Sequence, residues 1–150
     1  MKYKPFLIQK LKEGSPVRDS REWGIWIQHF PFDIYPKMKE PAKKSWKDEN
    51  GDDEYIPDIP VFEAYTADVE FVFIGEYESA NDQIGPFLEY LSQNGEFSIY
   101  DAYTKIGRTH VRYDHYSDKA FKRRENENDV VQFSVSLKIN DPKTQITLSK

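Results

Sequence analysis

The sequence predicts an α+β fold that is mainly β: an antiparallel barrel or sandwich with one packed helix. Runs of alternating apolar and polar residues lie on both sides of a single helical pattern, so the element order is strands, helix, strands. Ten Tyr and ten Phe contribute to an aromatic content of 15%, which favours strands over helices. A length of 150 residues fits one domain, 1–150, with a sizeable core.

Two strand-like segments are predicted before residue 30. The FLI group at 6–8 is a first strand or an arm. In EWGIWIQ at 22–28 the residues alternate, with Trp26 on the face opposite to Trp23, Ile25 and Ile27. The glycine in this run suggests a bulge or a close approach of the backbone.

The 36–58 segment differs from its surroundings in composition. It holds three prolines, seven acidic residues and five lysines. Loops of this length in compact domains are usually functional or disordered. We therefore expect 36–58 to be a long acidic loop that is partly mobile and lies outside the core.

Two strands and a helix are predicted next. PVFEAYT at 60–66 and VEFVFIG at 69–75 both alternate. The helical pattern starts near Ser79, a plausible N-cap, and ends at Asn94-Gly95. Because Pro86 lies inside this pattern, we expect the helix to start late or to be kinked there. Its apolar stripe comprises Ile84, Phe87, Leu88 and Leu91.

The last third returns to β patterns. EFSIYDAY at 96–103 and IGRTHVRYD at 106–114 are joined by a short turn near 103–105, as in a hairpin. Residues 117–128 are predicted to be a charged loop, and DVVQFSVSLKI at 129–139 to be the last long strand.

That strand is predicted to stop at Asn140-Asp141-Pro142, since proline lacks an N–H donor and Asn and Asp favour turns. The remaining KTQITLSK is a short tail that could reach a neighbouring molecule. The predicted interior consists of Phe71, Phe73, Phe87, Leu88, Leu91, Ile99, Val111, Phe133, Val135 and Leu137.

Composition excludes several classes of function. The net charge of −5 does not suit a nucleic-acid-binding protein, because an acidic chain is a poor counterion for phosphate. The chain has no cysteine, so disulfides and thiolate catalysis are excluded. No apolar stretch reaches the length of a membrane span, and the N-terminal residues are too charged for a secretory signal. We expect a soluble protein, intracellular or part of an assembled particle.

Metal-binding patterns are weak. His29, His110 and His115 are the only histidines, and a site built from all three is conceivable, with Asp114 beside the last. Exposed strand and loop residues are the preferred interpretation, because no neighbouring carboxylate has a ligand spacing. The acidic run at 48–54 begins like a calcium loop but lacks its glycine and its final glutamate, so we interpret it as a solvated turn.

Basic and catalytic patterns are weak as well. A cluster comprising Lys119, Lys122, Arg123 and Arg124 is followed directly by acidic residues. Arg108 and Arg112 are expected on one solvated strand face or in ion pairs. No Ser/His/Asp order, phosphate loop or framed pair of carboxylates is present. We therefore assign no catalytic, cofactor-binding or metal-binding residues and expect no enzyme and no cofactor.

The order of motifs from 69 to 144 resembles a known family. VEFVFIG, a helix with FLEYL, then GEFSIYDAY, VRYD and FSVSLKINDP follow one another as in the ring-forming N-terminal domain of siphophage distal tail proteins. WKDENGDDEYIP is similar to that family's Pro/Gly-Asp-Gly loop, although it is longer, and EWGIWI to its Asp-Phe-Gly-Ile segment. The family often continues past the DP turn into a galectin-like domain, whereas eight residues follow Pro142 here.

The resemblance implies a structural protein of a phage or prophage tail. It implies a homo-oligomeric ring, usually hexameric, that continues the tail tube at its tip and touches tube, tip or baseplate proteins. DNA would pass through the channel without specific binding, and the protein would assemble in the bacterial host cytoplasm and remain in the virion tail. A tube protein or a tail-completion ring of the same barrel family fits the motifs too.

Two other classes of function remain open at this point. A small carbohydrate- or protein-binding module would use Trp23, Trp26 or Trp46 as a stacking platform, and it needs several of them exposed on one face. An enzyme with a histidine metal site needs His29, His110 and His115 to converge.

Overall fold

The computed structural model describes residues 4–76, 79–122 and 128–150. It confirms the predicted class, an α+β fold that is mainly β. Over the described residues the strands are β1 Phe6–Lys10, β2 Arg18–Asp19, β3 Ile25–His29, β4 Lys43–Ser45, β5 Asp52–Glu54, β6 Tyr65–Gly75, β7 Phe97–Asp101, β8 Ile106–Lys122 and β9 Asp129–Ile139. A 3₁₀ helix covers Ser20–Trp23, and the α-helix α1 covers Ala80–Ser92.

Seven strands form one antiparallel sheet in the order β2-β1-β7-β8-β9-β6-β3, and β4 and β5 form a separate hairpin. The longest strands, β8, β9 and β6, are neighbours in this sheet. β6 pairs with β9 along its whole length, from Tyr65↔Ile139 to Gly75↔Asp129. The sheet folds over on itself, because Phe6 of β1 lies 5.4 Å from Phe71 of β6, ring centroid to ring centroid. Three strands separate these two in the hydrogen-bonded order, and a flat sheet would hold them about 19 Å apart.

The core lies inside this fold and is capped by α1. Phe87 of the helix packs 5.4 Å from Phe71 and 6.4 Å from Phe133, again between ring centroids. Nine of the ten residues predicted to be interior are buried, and Leu88 is half-buried against the same cluster. Alternation along β9 therefore identified its buried face correctly, from Val131 to Ile139.

The helix starts at Ala80 with Ser79 in the N-cap position, as predicted. It includes Pro86, so of the two alternatives predicted for this proline the late start is wrong. The Ser79 hydroxyl does not cap the helix; it donates a hydrogen bond to the carbonyl oxygen of Glu76 at 2.6 Å. The end is as predicted, since Asn94 and Gly95 adopt φ values of 62° and 81° directly after it.

The segment 22–28 is only partly a strand. Trp23 ends the 3₁₀ helix and is not a strand residue, which corrects the prediction. Gly24 turns the chain with φ 66°, and a Cβ there would lie 3.1 Å from the carbonyl oxygen of Ile74. The close backbone approach that the glycine suggested is therefore confirmed.

Two further boundaries differ from the predictions. The strands expected at 60–66 and 69–75 are replaced by one long strand, Tyr65–Gly75, and Phe62 forms only an isolated bridge with Met38. The loop expected at 117–128 is wrong at its start, because β8 continues to Lys122 in register with β9. Residues 123–127 lie outside the described part of the chain.

The C-terminal segment lies against the molecule's own sheet. The Asp141 side chain accepts hydrogen bonds from the backbone N–H groups of Lys143 and Thr144, and the strand ends as predicted. Beyond Pro142 the chain returns to β8, where the N–H of Ile146 donates to the carbonyl of Gly107 at 3.5 Å. Part of this segment is therefore held by the molecule's own sheet, and its predicted contact with a neighbour stays a prediction.

Candidate interaction surfaces

Two of the three histidines each lie beside a different carboxylate. His110 Nδ1 lies 3.3 Å from Glu96 Oε1, and His115 Nδ1 lies 2.9 Å from Asp114 Oδ2. His29 is the last residue of β3. Within 4–76, 79–122 and 128–150, no group of three or more His, Asp or Glu side chains could hold a metal ion. The geometry therefore gives no support to a histidine metal site.

The tryptophans do not share an exposed face. Trp23 is buried beside Phe87 and Tyr90, with the Arg18 guanidinium 4.4 Å above its ring. Trp26 is half-buried in β3, and Trp46 lies on the separate hairpin, where its Nε1 donates to Asp53 at 2.9 Å. A stacking platform built from these side chains is therefore not present.

The predicted basic residues are dispersed. Arg108 is buried, with 3% exposed, and its guanidinium donates to Gln145 Oε1 at 3.1 Å and to the Asp33 carbonyl at 3.2 Å. It therefore ties the C-terminal segment to the chain before the 36–58 segment, which corrects the expectation of a solvated face. Arg112 is exposed and pairs with Asp114 at 3.6 Å.

The end of β8 holds the described part of the basic cluster. Lys119 pairs with Glu70, and this hydrogen bond lowers the pKa of the Glu70 carboxyl. Lys122 is exposed at the last position of the strand. Arg123 and Arg124 lie outside the described residues.

The 36–58 segment, which we call the arm, is not entirely loop. It contains the β4–β5 hairpin, with Lys43↔Glu54 and Ser45↔Asp52 as paired residues, which corrects the prediction. Two extended stretches, 37–39 and 61–63, connect the arm to the rest of the chain and are hydrogen-bonded to each other. The N–H of Lys39 donates to Val61 O at 2.7 Å, and the N–H of Glu63 donates to Lys37 O at 2.8 Å.

Large apolar side chains are exposed where the arm joins the body. Tyr35, Ile59 and Val61 line one cavity of about 500 Å³ together with Pro142 and Lys143. The Lys143 ammonium lies 4.7 Å above the Tyr35 ring. The exposed apolar members of this lining, which we call the arm-root patch, are Tyr35 at 68%, Ile59 at 82% and Val61 at 54%. Ile34, Tyr55 and Ile56 are also exposed in the neighbouring chain. Contiguous exposed apolar surface is typical of contact sites.

A second apolar surface is a groove between α1 and the β8–β9 hairpin. Ile84 and Leu88 of the helix line one side, and Phe121 and Val131 of the hairpin line the other, around about 510 Å³. Phe121 is 51% exposed. We call this surface the helix groove.

The polar lining of the helix groove comprises Asn81, Lys119, Gln132 and one hydrogen-bonded pair, Tyr116 with Asp118. The hydroxyl of Tyr116 donates to the Asp118 carboxylate. Burial and the adjacent Asp118 charge together raise the pKa of Tyr116 to about 12. Tyr116 therefore stays a neutral phenol at physiological pH, and its ring is part of the apolar lining.

The two apolar surfaces lie at opposite ends of the β6–β9 pair. The arm root precedes Tyr65 and contacts Pro142, close to the Tyr65↔Ile139 end. The helix groove includes Val131, near the Gly75↔Asp129 end. Ile139 lies eight positions after Val131 in β9, which corresponds to about 26 Å along the strand.

Within the described part of the chain, no helix is both long and apolar enough to cross a membrane.

A solved structure shares this fold. The chain is similar to the crystal structure of the Dit protein of phage SPP1, described as a paradigm of the hub adsorption apparatus in phages that infect Gram-positive bacteria. The TM-score is 0.62 at 13% sequence identity, over 91% of this chain and 50% of that chain. This chain therefore spans about half the length of that phage protein.

No protein-family model and no curated protein sequence matches the chain. At 13% identity the structural likeness establishes the fold and not the role. The fold agrees with the one that the sequence resemblance to distal tail proteins implies.

Proposed function

We propose that this chain is a structural protein of a phage or prophage tail that forms a ring at the distal end of the tail tube. The observation that carries the proposal is the shared fold with a phage hub protein over 91% of the chain. The sequence resemblance points to the same class of protein independently, from the order of its motifs.

The surface of the molecule supports an assembly role. The three large apolar side chains of the arm-root patch are each more than half exposed within the described part of the chain. Monomeric proteins rarely expose such patches unless they bind a partner. We propose that the patch is an assembly surface, and that copies of this chain close into a ring, with six copies expected from the resemblance.

Charge is compatible with passage of DNA through such a ring. The chain carries a net charge of −5, and an acidic wall does not hold phosphate. The ring would therefore let DNA pass without specific binding, and its other contacts would be to tube, tip or baseplate proteins in the virion tail.

Electron microscopy of tails from the parent phage or prophage tests the proposal. We expect density for this chain as a ring between tube and tip, with threefold or sixfold symmetry. Absence of the chain from purified particles would contradict the proposed role.

A further inference from the structure

The arm-root patch requires a complementary surface if copies of this chain form a ring. A contact that repeats around a rotation axis is heterologous, so each copy must offer two different surfaces that fit each other. The patch is one of them. This inference rests on the proposed ring and asks where the second surface lies.

The free edge of β8 is unsuited to that role. β7 pairs with β8 only as far as Val111, so β8 beyond this point has β9 as its pairing partner among the described strands. The pairing with β9 shifts register between Tyr113 and His115 and again between Asp118 and Ala120. Bulges and charged side chains of this kind hinder the addition of a further strand. Contact through side chains is therefore favoured over strand pairing.

We infer that the helix groove receives the arm-root patch of a second copy. The groove is concave and lined by apolar side chains, including Ile84, Leu88 and Phe121. The patch offers exposed apolar side chains around its own shallow cavity, and Ile59 is its most exposed member at 82%. Burial of both surfaces removes apolar area from water on each side, which is the main favourable term in association.

The positions of the two surfaces determine the geometry of the contact. About 26 Å of strand separates Val131 from Ile139, so the patch of one copy does not fill its own groove. A patch at one end and a groove at the other make a head-to-tail contact between successive copies. This is the arrangement that closes into a ring or extends into a filament.

Charge favours the same pairing. The hairpin of the arm is acidic overall, with five acidic residues against three lysines over 43–54. Its β5 acids lie opposite Lys43 and Lys44 of β4. Lys122 lies at the end of β8 beside the groove lining and has no ion-pair partner within the described ranges. When the patch binds the groove of a second copy, the acidic hairpin would lie near Lys122. Such a charge pair sets the orientation of the two copies more than it strengthens their binding.

Cross-linking tests the contact cleanly because the chain has no cysteine. Two single variants, Ile59→Cys and Phe121→Cys, are mixed and treated with a short bis-maleimide reagent. Thiols held in contact behave as if at millimolar concentration, so at tens of micromolar protein the cross-linked dimer should form about 10- to 100-fold faster than for unpaired positions.

Leu11→Cys is the matched control partner for Ile59→Cys. Leu11 is also apolar and 42% exposed, but it follows β1 and lines neither surface. Each single variant alone measures the rate of random collision. Equal rates for the test pair and the control pair would overturn the inference.

A double variant, Ile59→Cys with Phe121→Cys, separates this inference from the proposed ring. The head-to-tail contact predicts a ladder of cross-linked species in which every copy is joined to the next. If rings or oligomers form but the ladder is absent, the patch does not bind the helix groove, whereas the proposed ring is still supported. If no oligomer forms at high concentration and no ladder appears, both ideas fail.

Discussion

The β6–β9 pair and the arm carry similar apolar side chains but bury them to opposite extents. Phe71 and Val135 are 0% exposed, whereas Ile34 and Ile59 at the arm root are 77% and 82% exposed. β6 and β9 lie under α1 and opposite β1, so apolar layers cover both. At the arm root, Pro142, Lys143 and Phe62 contact part of the apolar surface and leave Ile59 largely exposed. Because the exposed apolar side chains of the arm bury little surface, we expect them to add little to the stability of the fold. They are available for contact with another molecule.

The largest effect is expected in the centre of the sheet. Phe133→Ala should lower the free energy of unfolding by about 3–5 kcal/mol, because Phe133 is fully buried between Phe71, Phe87 and Tyr116. Urea denaturation measures the change. A loss below about 1 kcal/mol would mean that the aromatic cluster is not the core.

The helix should respond almost as strongly on its buried face. Leu91→Ala is expected to cost about 2–5 kcal/mol, since Leu91 is 1% exposed. Leu88→Ala is the matched control and should cost less, because Leu88 is half-buried. A cost for Leu91→Ala below about 0.5 kcal/mol would show that the helix faces water.

A smaller effect is expected where the C-terminal segment docks. A Cβ at Gly107 would collide with the carbonyl oxygen of Ile146, so Gly107→Ala should displace the segment at a cost of about 1–3 kcal/mol. Amide exchange over 143–150 should then become faster. Gly85→Ala is the control: nothing lies within 4 Å of its Cβ position, and alanine favours the helix. Unchanged exchange in the Gly107 variant would contradict the docked segment.

The arm should open more easily than the sheet. Its hairpin has three paired positions on short, exposed strands, whereas β6 and β9 are paired along their whole length. Limited proteolysis is therefore expected to cut first within 36–58. Slow amide exchange and resistance to protease throughout this segment would contradict the prediction.

The smallest effect on stability is expected at the arm root. Ile59→Ser should change the free energy of unfolding by no more than about 0.5 kcal/mol, since the side chain is 82% exposed. A loss comparable to that of Leu91→Ala would show that the patch is part of the core, and the comparison between the two regions would be wrong.

The sequence allowed a correct prediction where one period held over a long stretch, whereas the shorter alternation at 60–66 did not form a strand of its own. β9 alternates from Val131 to Ile139, and the α1 stripe recurs at helical spacing, so both buried faces were predictable. The end of β9 was predictable too, because Pro142 lacks an N–H donor.

The predictions were wrong where bulges or short helical turns interrupt the alternation of apolar and polar residues. Register shifts between Tyr113 and His115 and between Asp118 and Ala120 interrupt the alternation of β8, so a charged stretch within a strand was predicted to be a loop. Trp23 was assigned to a strand because a single turn of 3₁₀ helix, ended by Gly24, imitates alternation over a few residues.

The candidate surfaces were beyond prediction for a different reason. Ile34, Ile56 and Ile59 have no common period, and lysines, acidic residues and prolines separate them, so the arm looked merely polar. The helix groove joins α1 to the end of β8. Its existence depends on the extension of β8, which the local pattern did not indicate.

The mass of the protein in solution, measured against concentration, tests the central claim most directly. The claim is that the arm-root patch joins copies of this chain, each of 17.7 kDa. We predict that the wild-type mass rises with concentration toward a closed oligomer, and that Ile59→Ser shifts this rise to higher concentration while the fold remains stable. A wild-type protein that stays at the monomer mass at all concentrations, indistinguishable from the Ile59→Ser variant, would contradict the claim.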